Sequence, residues 1–358
     1  MTVEVESFDR FEPLLEAAPA LFAARQSAGF FATPAWWRTV VESGLPPGAV
    51  PCFLLCRDAG RPVAMLALQR QGGGLAGMTN PYTCLFAPLL AGDLDAHQLM
   101  EVGRSLGGFC RSSPVLRLDA MDRDMPGLDD ILAGLRAAGL KTRSFSHFGN
   151  WHMRVDGSWP DYLQARPGEL RETIRRRLRR MEREQVGFEL IRAPADLDAG
   201  IAAYEDVYAR SWKTPEPYPD FNPRLMHYAA TDGMLRLGLL RTRAGLPIAC
   251  QLWVVAQGQA TVLKLAHDEA FKPLSPGTLL TALMIQALLE NEPIEALDFG
   301  RGDDPYKRLW ASTRRQRIGL LLIDPWRPRG MAMLARQGLA DALARFRHRR
   351  EAPHADPA

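Results

Sequence analysis

The chain has 358 residues, room for two domains of ordinary size. Its 47% hydrophobic and 24% charged residues are those of an ordinary globular protein, and a net charge of +3 excludes a global field that would argue for nucleic acid or a membrane surface. Cys52, Cys56, Cys84, Cys110 and Cys250 form no CxxC pair and mostly lie in apolar stretches, so buried free thiols are expected rather than a disulfide or zinc framework.

No apolar run reaches the ~20 residues of a spanning helix. The start, MTVEVESFDRFEP, is acidic from residue 4 onward and is not expected to act as a signal peptide. A cytoplasmic location is the expectation.

In chain order, Thr33-Pro34 opens a helix through Trp36 and Trp37. "FLLCRDAGRPVAMLALQ" (53–69) then reads as a β-hairpin, two apolar runs around Ala59-Gly60. A Gly-rich turn at 72–74 follows, with an apolar segment near 82–90. Helices are expected at 93–110 and 128–138, with a strand at 115–118 between them.

A second hairpin, "LGLLRTRAGLPIACQLWVV" (237–255), repeats the first around Ala244-Gly245, 185 residues beyond Gly60. Two like hairpins half a chain apart predict two domains of one design. Between them, "ELRETIRRRLRRMEREQ" (169–185) carries seven arginines and four glutamates. Leu170, Ile174, Leu178 and Met181 recur at helical spacing, so this is an amphipathic helix with a basic outer face. That face is either a solvated surface of Glu–Arg pairs or a clamp for a polyanion such as coenzyme A phosphates or tRNA. A helix over 196–212 precedes the second hairpin. Mixed strands and helices with hairpins point to an α/β or α+β layered sheet.

The chemistry concentrates after that hairpin. On the strand 260–268, alternation places Lys264 in the middle of an otherwise apolar face, where an ammonium needs an anionic partner. Asp298, ending the next strand, is a candidate partner, a polar cleft being the other way to hold the charge. Ser275 is read as an N-cap and Pro276 as the first residue of a buried helix to Glu290. Such a helix opens free N–H groups and partial positive charge to an anion, and Gly277 permits close approach. The strand 294–299 then leads into "LDFGRGDDPYKRLW". There Asp304-Pro305 repeats the cap logic and starts a short helix carrying Tyr306, Lys307 and Trp310. Two helix starts at neighbouring strand ends predict a concave polar site. An Asp as base, Tyr306 as acid and cationic Lys264, Arg301 and Lys307 converge there. The histidines have no metal-ligand spacing, and no metal site is expected. A basic helix (331–350) and a Pro/Ala tail close the chain.

"LKLAHDEAFKPLSPGTLL" followed by "LDFGRGDDPYKRLW" resembles the GNAT-like acyltransferase domain of the CelD-type family, related to the Fem peptidyl transferases. The resemblance covers about residues 170–325. It implies tandem GNAT-like domains: a degenerate one over 1–165 that shapes the acceptor site, a catalytic one over 166–328, and a basic C-terminal helix and tail over 329–358. It implies acyl transfer from acyl-CoA as co-substrate to an amine acceptor, such as an amino sugar, an amino acid or a glycan amine, in polysaccharide or envelope biosynthesis. The donor pyrophosphate would lie at Ser275, Pro276, Gly277 and Thr278, with Arg301 and Lys307 nearby, and its pantetheine between the strands 260–268 and 294–299. A backbone N–H would polarise the thioester carbonyl. Asp268 or Asp303 would be the base, Tyr306 would reprotonate the thiolate, and Lys264 joins the catalytic set. The usual signature Gln/Arg-x-x-Gly-x-Gly/Ala is replaced by "KPLSPG". Two alternatives stand beside this: Fem-like transfer from aminoacyl-tRNA, and a non-catalytic scaffold on a dead transferase fold.

Overall fold

A computed structural model describes residues 3–24 and 26–336. The expected basic helix is seen only in its first part, residues 328–336; the rest of it and the tail lie outside the described residues.

Among the described residues, thirteen strands form one sheet: β1 (Val3–Phe8), β2 (Val50–Asp58), β3 (Arg61–Gln71), β4 (Gly74–Gly77), β5 (Leu89–Leu90), β6 (Val115–Met121), β7 (Lys141–Arg154), β8 (Gly187–Ile191), β9 (Leu235–Arg241), β10 (Pro247–Ala256), β11 (Gln259–His267), β12 (Ala296–Asp298) and β13 (Thr313–Ile323). Both hairpins are present. Asp58 faces Arg61 across a two-residue turn, where Ala59 (φ 47°) and Gly60 (φ 80°) take the left-handed conformation such a turn needs. In the second hairpin Arg241 faces Pro247.

The strand order is β1-β2-β3-β4-β6-β13-β7-β12-β11-β10-β9-β8, with β5 paired to β3. It is close to a palindrome. Each half runs hairpin, third strand, crossover helix and parallel strand: β4 pairs β6 across the helix Ala96–Cys110, and β11 pairs β12 across the helix Pro276–Asn291. The last strand of each half is exchanged. β7 pairs β12 of the second half, and β13 lies between β6 and β7. β13 is bonded to β7 along its whole length, from Thr313↔His152 to Ile323↔Lys141. The two halves therefore share one continuous sheet.

The core follows from this exchange. One sheet face buries Trp36, Trp37, Phe53 and Phe221, and the other buries Trp253, Leu280, Ile285 and Trp310. Phe221 belongs to the helix Phe221–Thr231, which has no counterpart among the sequence expectations. It packs edge-on to Trp36 at 5.6 Å and stacks on Tyr82 at 4.2 Å, so aromatic burial joins the halves beside the site. On the opposite face, Tyr162 Oη and Arg166 Nη1 donate to the Trp310 carbonyl at 2.6 and 3.0 Å. The chain entering the second half is thereby fastened to the segment that carries Tyr306.

Candidate active site

β11 and β12 pair over only three residues, Gln259↔Ala296 to Thr261↔Asp298. Beyond them Gly300, at φ 64°, turns the chain away, and a Cβ there would lie 2.4 Å from the Val262 carbonyl oxygen. Only glycine fits both the left-handed conformation and the close approach. A bulge compounds the opening: Leu252 faces Lys264 and Trp253 faces Val262, leaving Leu263 extra. A cavity of about 750 Å3 occupies the opening.

Of the residues singled out in the sequence, Lys264, Ser275, Gly277, Thr278, Arg301, Tyr306 and Lys307 line this cavity. Asp268, Asp303 and Pro276 are not among its lining residues. Asp268 is buried, accepts from Ala270 N at 2.9 Å and pairs with Arg210. Asp303 accepts from Arg314 Nε at 2.7 Å and from the Trp151 indole at 2.8 Å. The Arg314 hydrogen bond holds its carboxyl below the ordinary range.

Three local expectations are corrected. Lys264 pairs not with Asp298 but with Glu216, Nζ to Oε1 at 2.6 Å, and lies 4.5 Å over the Tyr82 ring. The bulge sets its direction, and Asp298 is already saturated by Asn150, Arg315 and the Gly300 N–H. Ser275 makes no cap bond, because at φ 52° its side chain cannot reach the first-turn N–H groups. Pro276 does begin the helix, and Ser275 is left facing the cavity. The second helix start is only the three-residue 3-10 turn Lys307–Leu309, without a side-chain cap, so it adds no second dipole.

Tyr306 Oη lies 2.9 Å from Thr281 Oγ1 and donates to the Gly277 carbonyl at 3.2 Å. Burial pushes its hydroxyl up to about 12, so it stays protonated at neutral pH. Lys307 Nζ donates to the Arg301 carbonyl at 2.6 Å and stands 3.7 Å from Asp304. Burial pulls its pKa down against the upward pull of Asp304. Lys213 and Lys272 also line the cavity, so five cations face one carboxylate, Asp304. A positive cavity at an uncapped helix start suits an anionic ligand.

Four contributors were not legible in the sequence. Tyr82 and Cys84 reach the cavity from the first half. Glu216 comes from an irregular loop; burial raises its carboxyl, and hydrogen bonds from Lys264, Tyr208 and Tyr82 outweigh that and lower it. His267 lines the cavity with both ring nitrogens buried and hydrogen-bonded to no group among the described residues. Only its position at a strand end signalled it.

Residues 168–308 match the family model described as Acetyltransferase (GNAT) domain. The second half thus matches a GNAT domain, and the chain as a whole has a tandem GNAT fold. Among solved structures it is similar to FemX, with 12% identity and a TM-score of 0.61 over 89% of this chain and 98% of that one. It is also similar to the C-terminal domain of a putative lysylphosphatidylglycerol synthetase from Agrobacterium fabrum, with 14% identity and a TM-score of 0.54 over 89% and 94%. A tandem GNAT protein from the clavulanic acid biosynthesis pathway matches at 12% identity and a TM-score of 0.50, over 89% and 98%. No curated protein matches the chain significantly. Among the described residues, no helix is long and apolar enough to cross a membrane, and no group of three or more His, Cys, Asp or Glu is arranged to hold a metal ion.

Proposed function

We propose that the protein is an N-acyltransferase that moves an acyl group from a coenzyme A thioester to an amine on a small molecule or glycan, an amino sugar or amino acid being the model acceptor. The observation that carries this is the cavity in the splay of β11 and β12, with the helix start at Pro276 on one side and the Tyr306 hydroxyl within it. In this reading the donor phosphates take the first-turn N–H groups at Gly277 and Thr278, the Ser275 hydroxyl, and the charges of Arg301 and Lys307. Gly277 fits such a role: a Cβ there would have no neighbour nearer than 3.6 Å, so a ligand has access to its backbone.

The amine nitrogen attacks the thioester carbonyl, the C–N bond forms, the C–S bond breaks, and the thiolate takes a proton from Tyr306. Asp268 and Asp303, each held by an arginine, have no part in the cavity in this reading. The first half acts as a degenerate copy that supplies Tyr82 to the acceptor side. The five cysteines, all free and buried, suit a cytoplasmic setting.

A thermal-shift series with acetyl-, medium- and long-chain CoA tests this, with stabilisation by at least one expected. No shift with any of them argues against the reading.

The Arg-rich helix Gly168–Glu184 supports Fem-like aminoacyl transfer as a second reading. Arg180 Nη1 donates to the Pro273 carbonyl at 3.2 Å, which puts this basic face beside the loop leading to Ser275. Activity that survives RNase treatment would remove it.

A further inference from the structure

The acyl-transfer reading needs a group to receive the proton that the nitrogen sheds as the C–N bond forms. The carboxylates in or near the cavity are each committed to a cation. Asp268 pairs with Arg210, Asp298 with Arg315, Asp303 with Arg314, Glu216 with Lys264, Glu269 with Lys272, and exposed Asp304 faces Lys307.

His267 is different. It ends β11 on the cavity wall, and a Cβ on Gly277 would stand 3.6 Å from its Nδ1. The Trp212 ring covers it at 4.4 Å, tilted 48°. Its Nε2 is 3.5 Å from Glu269 Oε1 without making a hydrogen bond. A buried imidazole whose two nitrogens make no hydrogen bond among the described residues is open to a partner from the cavity.

We propose that His267 is the catalytic base of the transfer, taking the amine proton directly or through one water, as the counterpart of the acid Tyr306. Both residues line the same cavity and both meet Gly277, His267 from the strand side and Tyr306 through its hydrogen bond to the Gly277 carbonyl. The balance is complete: the nitrogen gains the acyl carbon and loses a proton to His267, and the sulfur loses that carbon and gains a proton from Tyr306. His267 then releases its proton to solvent and the Tyr306 phenolate takes one back from solvent, so both groups return to their starting states.

The electrostatics support the pairing. Burial is the largest influence on His267 and lowers its pKa; Glu269 and Asp268 pull it up, and Lys272 pushes it down. Trp212 is uncharged, Lys213 lies 5.3 Å over the Trp212 ring, and the first turn of the facing helix carries no ionisable group. The imidazole is therefore neutral and able to accept at pH 7, while Tyr306 is held protonated. Environments that drive two groups apart in this way mark a base and an acid.

The inference rests on the acyl-transfer reading, and one experiment separates them. Release of free thiol from a CoA thioester in the presence of an amine panel is followed against pH for wild type, His267→Ala and His267→Gln. Melting temperatures and titration of the same thioester serve as controls. The expected result is a loss of kcat/KM of roughly 10²- to 10⁴-fold in both variants with donor binding retained. The acidic limb, which lies below the ordinary histidine value in wild type, disappears, and added imidazole partly restores His267→Ala. Folded variants that keep the wild-type rate and acidic limb overturn His267 as the base. Absence of transfer by wild type overturns the acyl-transfer reading and this inference together.

Discussion

The side-chain amide of Asn150 donates to the Gly300 carbonyl at 2.9 Å and to Asp298 Oδ1 at 2.8 Å, so a residue of the first half holds the exit from the second half's strand β12. Arg315, on the exchanged strand β13, completes the arrangement by donating to Asn150 Oδ1 at 2.6 Å and Asp298 Oδ2 at 2.7 Å. Everything from Arg301 to Lys307 hangs from this anchor. Asn150 is fully buried, so Asn150→Ala leaves the Gly300 carbonyl without this donor and Asp298 with one donor fewer, at about 1–3 kcal/mol. Denaturant unfolding should show that loss, and kcat/KM should fall with it because the Tyr306 segment loosens. Unchanged stability would mean that water replaces the amide without cost.

The two cavity glycines should behave differently. Gly300→Ala combines a left-handed φ with a Cβ 2.4 Å from a backbone oxygen, so the variant should lose stability by at least the ~1–3 kcal/mol of a strained residue. Gly277→Ala meets only ordinary contacts from 3.6 Å outward, inside a helix that gains from alanine. It should melt no lower than wild type yet bind the CoA thioester more weakly, since its methyl occupies the ligand's approach. Equal donor affinity in Gly277→Ala and wild type would contradict the placement of the phosphates.

Lys264 and Glu216 yield a prediction with a defined sign. Glu216 has a folded pKa below its ordinary 4.5, so its ionised form contributes stability above that value and loses it as pH falls through the folded pKa. In Lys264→Met the burial that Lys264 had offset dominates, and protonation relieves the carboxylate instead. The variant should be less stable by about 1–3 kcal/mol at pH 7, and the gap should narrow as pH falls below about 4.5. Urea midpoints measured from pH 7 to pH 3 check this; a constant gap would place the pair's contribution elsewhere.

Tyr306→Phe removes one hydroxyl bonded to Thr281 and Gly277, which costs about 1 kcal/mol of stability. Turnover should fall far more, roughly 10²- to 10⁴-fold, if the phenol supplies the thiolate's proton. Because burial puts that phenol at about 12, wild type should show no alkaline limb from Tyr306 below about pH 11. A variant with near-normal turnover would reassign the acid.

The parts of the molecule legible in the sequence are those written in local chemistry. The Ala-Gly turns specify two hairpins, Pro276 specifies a helix start, and Gly300 specifies a sharp strand exit. What depends on long-range pairing was not legible. The exchange of β7 and β13 leaves no local signature, because a strand's sequence records that it is buried and not which neighbour buries it. Asn150 and Arg315 therefore passed unnoticed, as did Tyr82. Alternation misdirected Lys264 because a single extra residue, Leu263, changes the face that follows it. Asp268 and Asp303 carried the right chemistry for a base, yet each stands beside an arginine remote in sequence, Arg210 58 residues away and Arg314 11 residues away.

The central claim is acyl transfer from a thioester through the cavity between β11 and β12, and the most direct test is amine-dependent release of free coenzyme A. Purified, RNase-treated protein should release thiol from at least one acyl-CoA, only when a primary amine is present, and should form the matching amide by mass. Failure with every chain length, or transfer that appears only with charged tRNA and vanishes with RNase, would contradict it.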